Sequence, residues 1–244
     1  MKRKPIRTAI LGYGKVAHVH AQALAALPMA DFAAVCGRDP EKARLFAARY
    51  GVRAYTDIGE MARDAGIEAV VVCTPHPAHA EGAVQAARAG LHVLVEKPLA
   101  TTLADCDAIL SAARESRVVL GTVSQRRFYP SVRRVKAAIE AGKIGRPVLG
   151  LLTMLGWRDE AYYRSDPWRG SWAGEGGGVL VNQAPHQVDL LQWFMGPVEE
   201  VYGCQGNLSH PYIEVEDTAV AVIRFRGGGF ASLVASNAQN PALY

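Results

Sequence analysis

From residue 6 to about 122, short continuous apolar runs take turns with helical patterns. Residues 6–11, 32–36, 53–55, 69–73, 92–95 and 118–121 read as strands. Between them, 15–27, 40–50, 57–64, 77–89 and 103–114 read as helices, with Pro40 suited to a first helical turn. The strand runs are unbroken rather than alternating, as in strands covered on both faces. Strand–helix–strand repetition of this kind predicts right-handed crossovers and a doubly wound parallel α/β sheet.

The second half has a different rhythm. A helix is predicted over 130–141, after which Gly142, Gly145 and Pro147 break the chain. A strand follows at 148–155, one helix at 178–194, then strands at 198–208, 217–225 and 230–236, with a hairpin turn at 227–229. This predicts an α+β domain with a mostly antiparallel open sheet. The boundary falls near 122–125, which gives domains 1–123 and 124–244.

Composition narrows the class. Of 244 residues, 50% are hydrophobic and 20% charged, which excludes a disordered or fibrous chain. Every apolar run is far shorter than the ~20 residues of a membrane helix, and the N-terminus has no signal-peptide core. The net charge of +4 is concentrated in Lys2, Arg3, Lys4 and Arg7, so the rest is near neutral and no nucleic-acid footprint is expected. Cys36, Cys73, Cys106 and Cys204 have no close spacing. They read as reduced thiols of a cytoplasmic protein with no metal site.

Gly12-Tyr13-Gly14-Lys15-Val16-Ala17 fits G-x-G-x-x-G/A where the motif needs to be, after the first strand and opening the first helix. Gly12 allows the tight turn, Gly14 lets a pyrophosphate approach the backbone, and Ala17 permits close helix–strand packing. The helix start offers free N–H groups and positive dipole. Residues 1–123 are therefore expected to be a dinucleotide-binding Rossmann domain. At the end of the second strand, an NAD site usually carries an acidic residue for the ribose 2′-OH. Here Gly37 takes that place and Arg38 follows; a guanidinium suits a 2′-phosphate, which favours NADP within an NAD(P) reading.

Three more segments carry chemistry: Thr74-Pro75-His76-Pro77-Ala78-His79, Glu96-Lys97-Pro98, and the run from Gly176-Gly177-Gly178 through Asn182 and His186 to Asp189. Thr74, Glu96 and Lys97 follow buried strands, where ligands bind in open α/β sheets. Asn182, His186 and Asp189, spaced i, i+4, i+7, are expected on one face of a single helix. Together with the glycine loop, these segments resemble the Gfo/Idh/MocA oxidoreductase family over essentially the whole chain. The resemblance implies that Lys97 holds the reacting hydroxyl and favours its alkoxide, and that His186 is the acid–base residue. It implies that Gly12, Gly14, Lys15 and Val16 line the phosphates, and Thr74, Pro75, His79, Glu96 and Lys97 the nicotinamide end. It also implies a cis Lys97–Pro98 bond. Many members have Asp where this chain has Asn182, which can orient a hydroxyl but cannot act as a base. A second departure is His76, where many relatives have Asn.

The loop 162–172 is rich in aromatics and arginine, and Tyr163, Trp168 and Arg169 are expected, with Asn182 and Asp189, to contact a sugar-like substrate. Arg126 to Tyr129 read equally as ligand contacts or as structural. His18 and His20 read as packed histidines. The expected activity is NAD(P)-dependent hydride transfer at a hydroxyl or carbonyl carbon of a sugar, polyol or nucleotide sugar. The rivals are a glycoside-cleaving relative that uses NAD transiently and a cofactor-binding chain without turnover. The resemblance and the apolar strand after Asp217 imply a homo-oligomer, dimer or tetramer, with neither nucleic acid nor membrane as partner. The resembling proteins are considerably longer, so the second domain reads as C-terminally shortened.

Overall fold

A computed structural model describes residues 4–243. Lys2 and Arg3 of the basic N-terminal group, and Tyr244, lie outside the described residues. Arg7 does not belong to a loose tail: its Nη1 lies 3.2 Å from Asp31 and its Nε donates to the Ala65 carbonyl at 2.9 Å. The chain divides between Val123 and Ser124 into two compact units.

The first unit runs β1 (Ile6–Leu11), α1 (Lys15–Ala26), β2 (Ala30–Cys36), α2 (Pro40–Tyr50), β3 (Arg53–Tyr55), α3 (Ile58–Asp64), β4 (Ala69–Val72), α4 (His79–Arg88), β5 (His92–Val95), α5 (Leu103–Glu115) and β6 (Leu120–Thr122). The six strands are all parallel, in the order β3-β2-β1-β4-β5-β6. The order reverses at β1 and β4, the switch point beyond whose carboxyl ends such sheets bind ligands. The continuous apolar runs have the expected cause. Ala9 and Leu11 of β1 pack with Val70 and Val72 on one face, while Ile10 packs with Val35, Phe46 and Val71 on the other. Asp39, Asp57 and Thr102 cap α2, α3 and α5 through backbone N–H groups of the first turn.

The second unit runs α6 (Pro130–Glu140), β7 (Leu149–Trp157), α7 (Glu160–Arg164), α8 (Trp172–Glu175), α9 (Pro185–Met195), β8 (Val198–Gly206), β9 (Thr218–Phe225), β10 (Phe230–Ser236) and β11 (Ala238–Leu243). Its sheet has the order β11-β7-β10-β9-β8. One face, with Leu152, Met154, Ile223, Phe225 and Leu233, packs on Leu191 and Val179. The opposite face leaves Leu149, Leu151, Tyr202, Val222 and Phe230 exposed.

The second sheet is mostly antiparallel, as expected, with one parallel pair, β10–β7. Beyond the strands expected from sequence there is one more, β11, which pairs antiparallel with β7. The single helix over 178–194 is two pieces: a π-helical turn, Val179–Gln183, and α9, joined at Ala184. The cause is Pro185, which has no N–H to continue the backbone ladder from the preceding turn, although Ala184 itself keeps right-handed α backbone. Asn182 therefore sits outside the helix that carries His186 and Asp189.

Ile10 is fully buried at the centre of the first sheet. Ile10→Ala is expected to lower the stability of this unit by roughly 3 kcal/mol, the usual cost of a buried cavity of that size. Urea denaturation followed by circular dichroism measures it.

Candidate functional site

The phosphate turn is built by close packing of strand ends. Gly12 has φ +101°, and a Cβ there would stand 2.8 Å from the Cys73 carbonyl oxygen. Gly14 precedes α1 with open space where its Cβ would point, and no side chain caps the helix. Lys15 and Val16 are exposed at the start of α1. At the neighbouring strand end, the hydroxyl of Thr74 is buried and has no hydrogen-bond partner. An uncapped helix start, open space beside Gly14 and an unpartnered buried hydroxyl at the neighbouring strand end fit an anionic dinucleotide. At the end of β2, Arg38 is exposed and Asp39 turns away to accept from the N–H groups of Glu41 and Lys42 at 3.0 and 3.1 Å.

The Glu-Lys-Pro segment is held from within this unit. His20 Nε2 lies 2.8 Å from Glu96 Oε1, and Glu96 Oε2 accepts from the Lys97 N–H at 3.0 Å. Burial alone would raise the Glu96 carboxyl, but the His20 bond, the Lys97 N–H and the charges of both residues hold it below the ordinary carboxylate value. Glu96 thus positions Lys97, and His20, read from sequence as a packed histidine, is the group that anchors it. The Lys97–Pro98 peptide is cis. His79 needs a correction. It is 1% exposed, with Nδ1 2.7 Å from the Pro98 carbonyl oxygen and Nε2 2.9 Å from that of Thr74. It ties the two loops together beneath the surface instead of lining a ligand. Burial dominates its surroundings and pushes the imidazole below its usual value. Cys36, buried and near Asp57 and Glu60, is pushed up to about 12 and stays a neutral thiol.

In the second unit two buried carboxylates organise the glycine run. Glu216 accepts from the N–H of Gly178 at 2.8 Å and of Leu180 at 3.0 Å. A Cβ on Gly178 would stand 1.7 Å from the Glu216 carbonyl oxygen, so only glycine fits. Glu175 accepts from the Gly170 N–H at 2.7 Å and from the Asn182 amide. The Tyr162 hydroxyl gathers three donors: Arg169 Nη1 at 2.6 Å, Asn182 Nδ2 at 3.1 Å and Gln183 Nε2 at 3.0 Å. The Arg169 guanidinium lies 4.4 Å from the ring centres of both Tyr162 and Trp168.

The expected substrate contacts divide accordingly. Trp168, Arg169 and Asn182 join one half-buried polar cluster, with Tyr162 at its hub. Tyr163 does not belong there: it is 5% exposed, packs on Ile213 and Val215, and its hydroxyl accepts from Asn237 at 3.1 Å. A five-residue helix turns consecutive tyrosines to different sides, which loop composition could not reveal. Asp189 holds Arg127 through two bonds, 2.8 and 2.5 Å, so its immediate partner is protein. Arg127 is thereby structural and half-buried. His186 lies 3.3 Å from the Gln125 amide nitrogen, which can only donate, so His186 Nε2 accepts. Among the described residues no group of three or more His, Cys, Asp or Glu could hold a metal, and no helix is long and apolar enough to cross a membrane.

Glu96 yields a signed expectation. Its folded value lies below its unfolded one, so its contribution is complete above the ordinary carboxylate range and disappears as pH falls through that range and below. Glu96→Gln should flatten this acid limb in melting temperature measured against pH. His20→Ala should lower stability by about 2 kcal/mol at neutral pH through loss of a charge-assisted bond.

Known proteins match both units. Residues 6–123 match a family described as an oxidoreductase family with an NAD-binding Rossmann fold. Residues 132–242 match the GFO/IDH/MocA C-terminal domain. The chain is 32% identical over 228 residues to myo-inositol 2-dehydrogenase of Thermotoga maritima, covering 91% of this chain and 66% of that protein. It therefore spans just under two thirds of that relative's length. Among solved structures, the WlbA dehydrogenase of Bordetella pertussis, in complex with NADH and UDP-GlcNAcA, superposes with a TM-score of 0.91. That match is 35% identical and covers 98% of this chain and 73% of WlbA. Levoglucosan dehydrogenase with NADH and L-sorbose superposes with a TM-score of 0.90 at 27% identity, covering 98% and 68% of the two chains.

Proposed function

Because the chain belongs to the Gfo/Idh/MocA oxidoreductase family, we propose that it serves an NAD(P)-dependent dehydrogenase acting on a CH–OH group of a sugar, polyol or nucleotide sugar. The observation that carries this reading is the open, uncapped start of α1 above Gly12 and Gly14, with the Thr74 hydroxyl left unpaired beside it. The relatives point to the substrate class, since they act on inositols or are seen with a nucleotide sugar or L-sorbose.

Gly12, Gly14, Lys15 and Val16 would hold the phosphates, Thr74 and Pro75 the nicotinamide end, and Arg38 a 2′-phosphate, which makes NADP the preferred form. When bound, the nicotinamide supplies the hydride chemistry. Lys97, fixed through Glu96, stabilises negative charge on the substrate oxygen. His186 moves the proton as the general acid–base group. Asn182 orients a hydroxyl, and Arg169 and Trp168 offer a cation and an aromatic face.

Lys97→Ala and His186→Ala are each expected to cut turnover by about 10³-fold or more while cofactor still binds. Absorbance of reduced nicotinamide across a panel of inositols, hexoses and nucleotide-sugar acids reads turnover, and calorimetry reads binding. Full turnover in either variant removes that residue from its role; no turnover by the parent protein with any member of the panel removes the reading itself.

The same reading includes a homo-oligomer formed through the open face of the second sheet. Leu149 and Leu151 of β7, Phe230 of β10, Val222 of β9 and Tyr202 of β8 are all more than half exposed on that face. Leu151→Glu with Tyr202→Glu should yield monomers by light scattering at micromolar concentration, where the parent protein is a dimer or larger. A monomeric parent protein sinks this part.

A further inference from the structure

Gly37, at the end of β2, is fully enclosed by a side chain from the phosphate turn. A Cβ built on it would stand 2.2 Å from Tyr13 Cε1 and 2.7 Å from Cδ1. Its φ lies outside the left-handed region, so glycine is needed here for space and not for conformation. Tyr13 is held where it is. Its ring packs against the cluster of Ile10, Val35 and Cys73, and its hydroxyl accepts from the Asp39 N–H at 3.1 Å. On the other side, the Gly37 N–H donates to the Tyr55 carbonyl at 3.0 Å. The backbone on both sides of Arg38 is therefore clamped, and its side chain is exposed. The nearest carboxylate, Asp39, is occupied with capping α2.

We propose that Tyr13 is the residue that sets the choice of cofactor in this chain. Its ring occupies the space a carboxylate at position 37 would need, so the acceptor that recognises an unmodified ribose diol cannot be present while Tyr13 stands. Its hydroxyl fixes the turn that presents Arg38, the cation that recognises a 2′-phosphate. Position 37 alone therefore cannot be converted: an acid there must displace Tyr13, and displacing Tyr13 releases Asp39 and Arg38. The proposal rests on the preference for NADP stated above, and deepens it by assigning a residue to it.

The test uses the whole chain and two readouts. The first is thermal melting without cofactor. Gly37→Ala should lower the melting temperature clearly in the parent protein and hardly at all in a Tyr13→Ala background, because the clash is with that ring. Equal losses in both backgrounds overturn the interlock. The second is the ratio of NAD to NADP dissociation constants by calorimetry. Gly37→Asp alone should gain no affinity for NAD, whereas Tyr13→Ala with Gly37→Asp should move the ratio toward NAD by about tenfold or more, the value of one charge-assisted contact. Tyr13→Ala alone should weaken NADP several-fold and leave NAD nearly unchanged. If Gly37→Asp alone moves the ratio as far as the double variant, Tyr13 is not the determinant. A parent protein that prefers NAD refutes the NADP reading instead, and the melting comparison still decides the interlock.

Discussion

At the first turn, the backbone of Gly12 lies against the Cys73 carbonyl with no room for a Cβ. The other strand ends are tied to the same place. The Gly12 N–H donates to the Cys36 carbonyl at 2.8 Å, that of Cys73 to Leu11 at 2.8 Å, and that of Glu96 to Val72 at 3.0 Å. This lattice of backbone bonds brings the ends of β1, β2, β4 and β5 to one edge of the sheet. Gly14, Arg38, Thr74 and Lys97 all depend on it for their placement. A larger residue at position 12 would push β1 from β4, and the chemistry at every other strand end would shift with it.

The second unit solves a similar problem with charge instead of close packing. Its glycine run has no side chains to hold it, and buried backbone N–H groups need partners. Glu216 and Glu175, 3% and 1% exposed, supply them. A buried carboxylate is costly unless hydrogen bonds surround it. Glu216 receives the N–H groups of Gly178 and Leu180, and Glu175 receives that of Gly170 and the Asn182 amide. These bonds fix the π-helical turn just before α9, and hence the place from which His186 projects.

Much of this was legible in the sequence, for physical reasons that can be named. Continuous apolar runs mark strands buried on both faces, as in β1, and Asp39 with Pro40 marks the start of α2; β1, β3, α2 and β5 have the predicted bounds. A Gly-x-Gly turn between a strand and a helix has few uses, and the phosphate turn took the expected form. What escaped were features set by partners distant in the chain. Pro185 divides a helix that periodicity alone ran through. β11 exists because β7 offers it an edge, and nothing local in residues 238–243 says so. The role of His20 depends on Glu96, 76 residues away. The placements of Tyr163 and His79 were mistaken because burial, unlike residue type, cannot be read from a motif.

Asn182 shows how far the second unit compensates for a departure from its family. Where many relatives have Asp, this chain has an amide, and the amide donates to the carboxylate of Glu175 and to the hydroxyl of Tyr162. A carboxyl group is therefore still present, one hydrogen bond further back and 1% exposed. Placed there it can orient Asn182 and polarise its N–H groups. On the activity proposed above, proton transfer falls to His186, which lies on α9 beside Gln125.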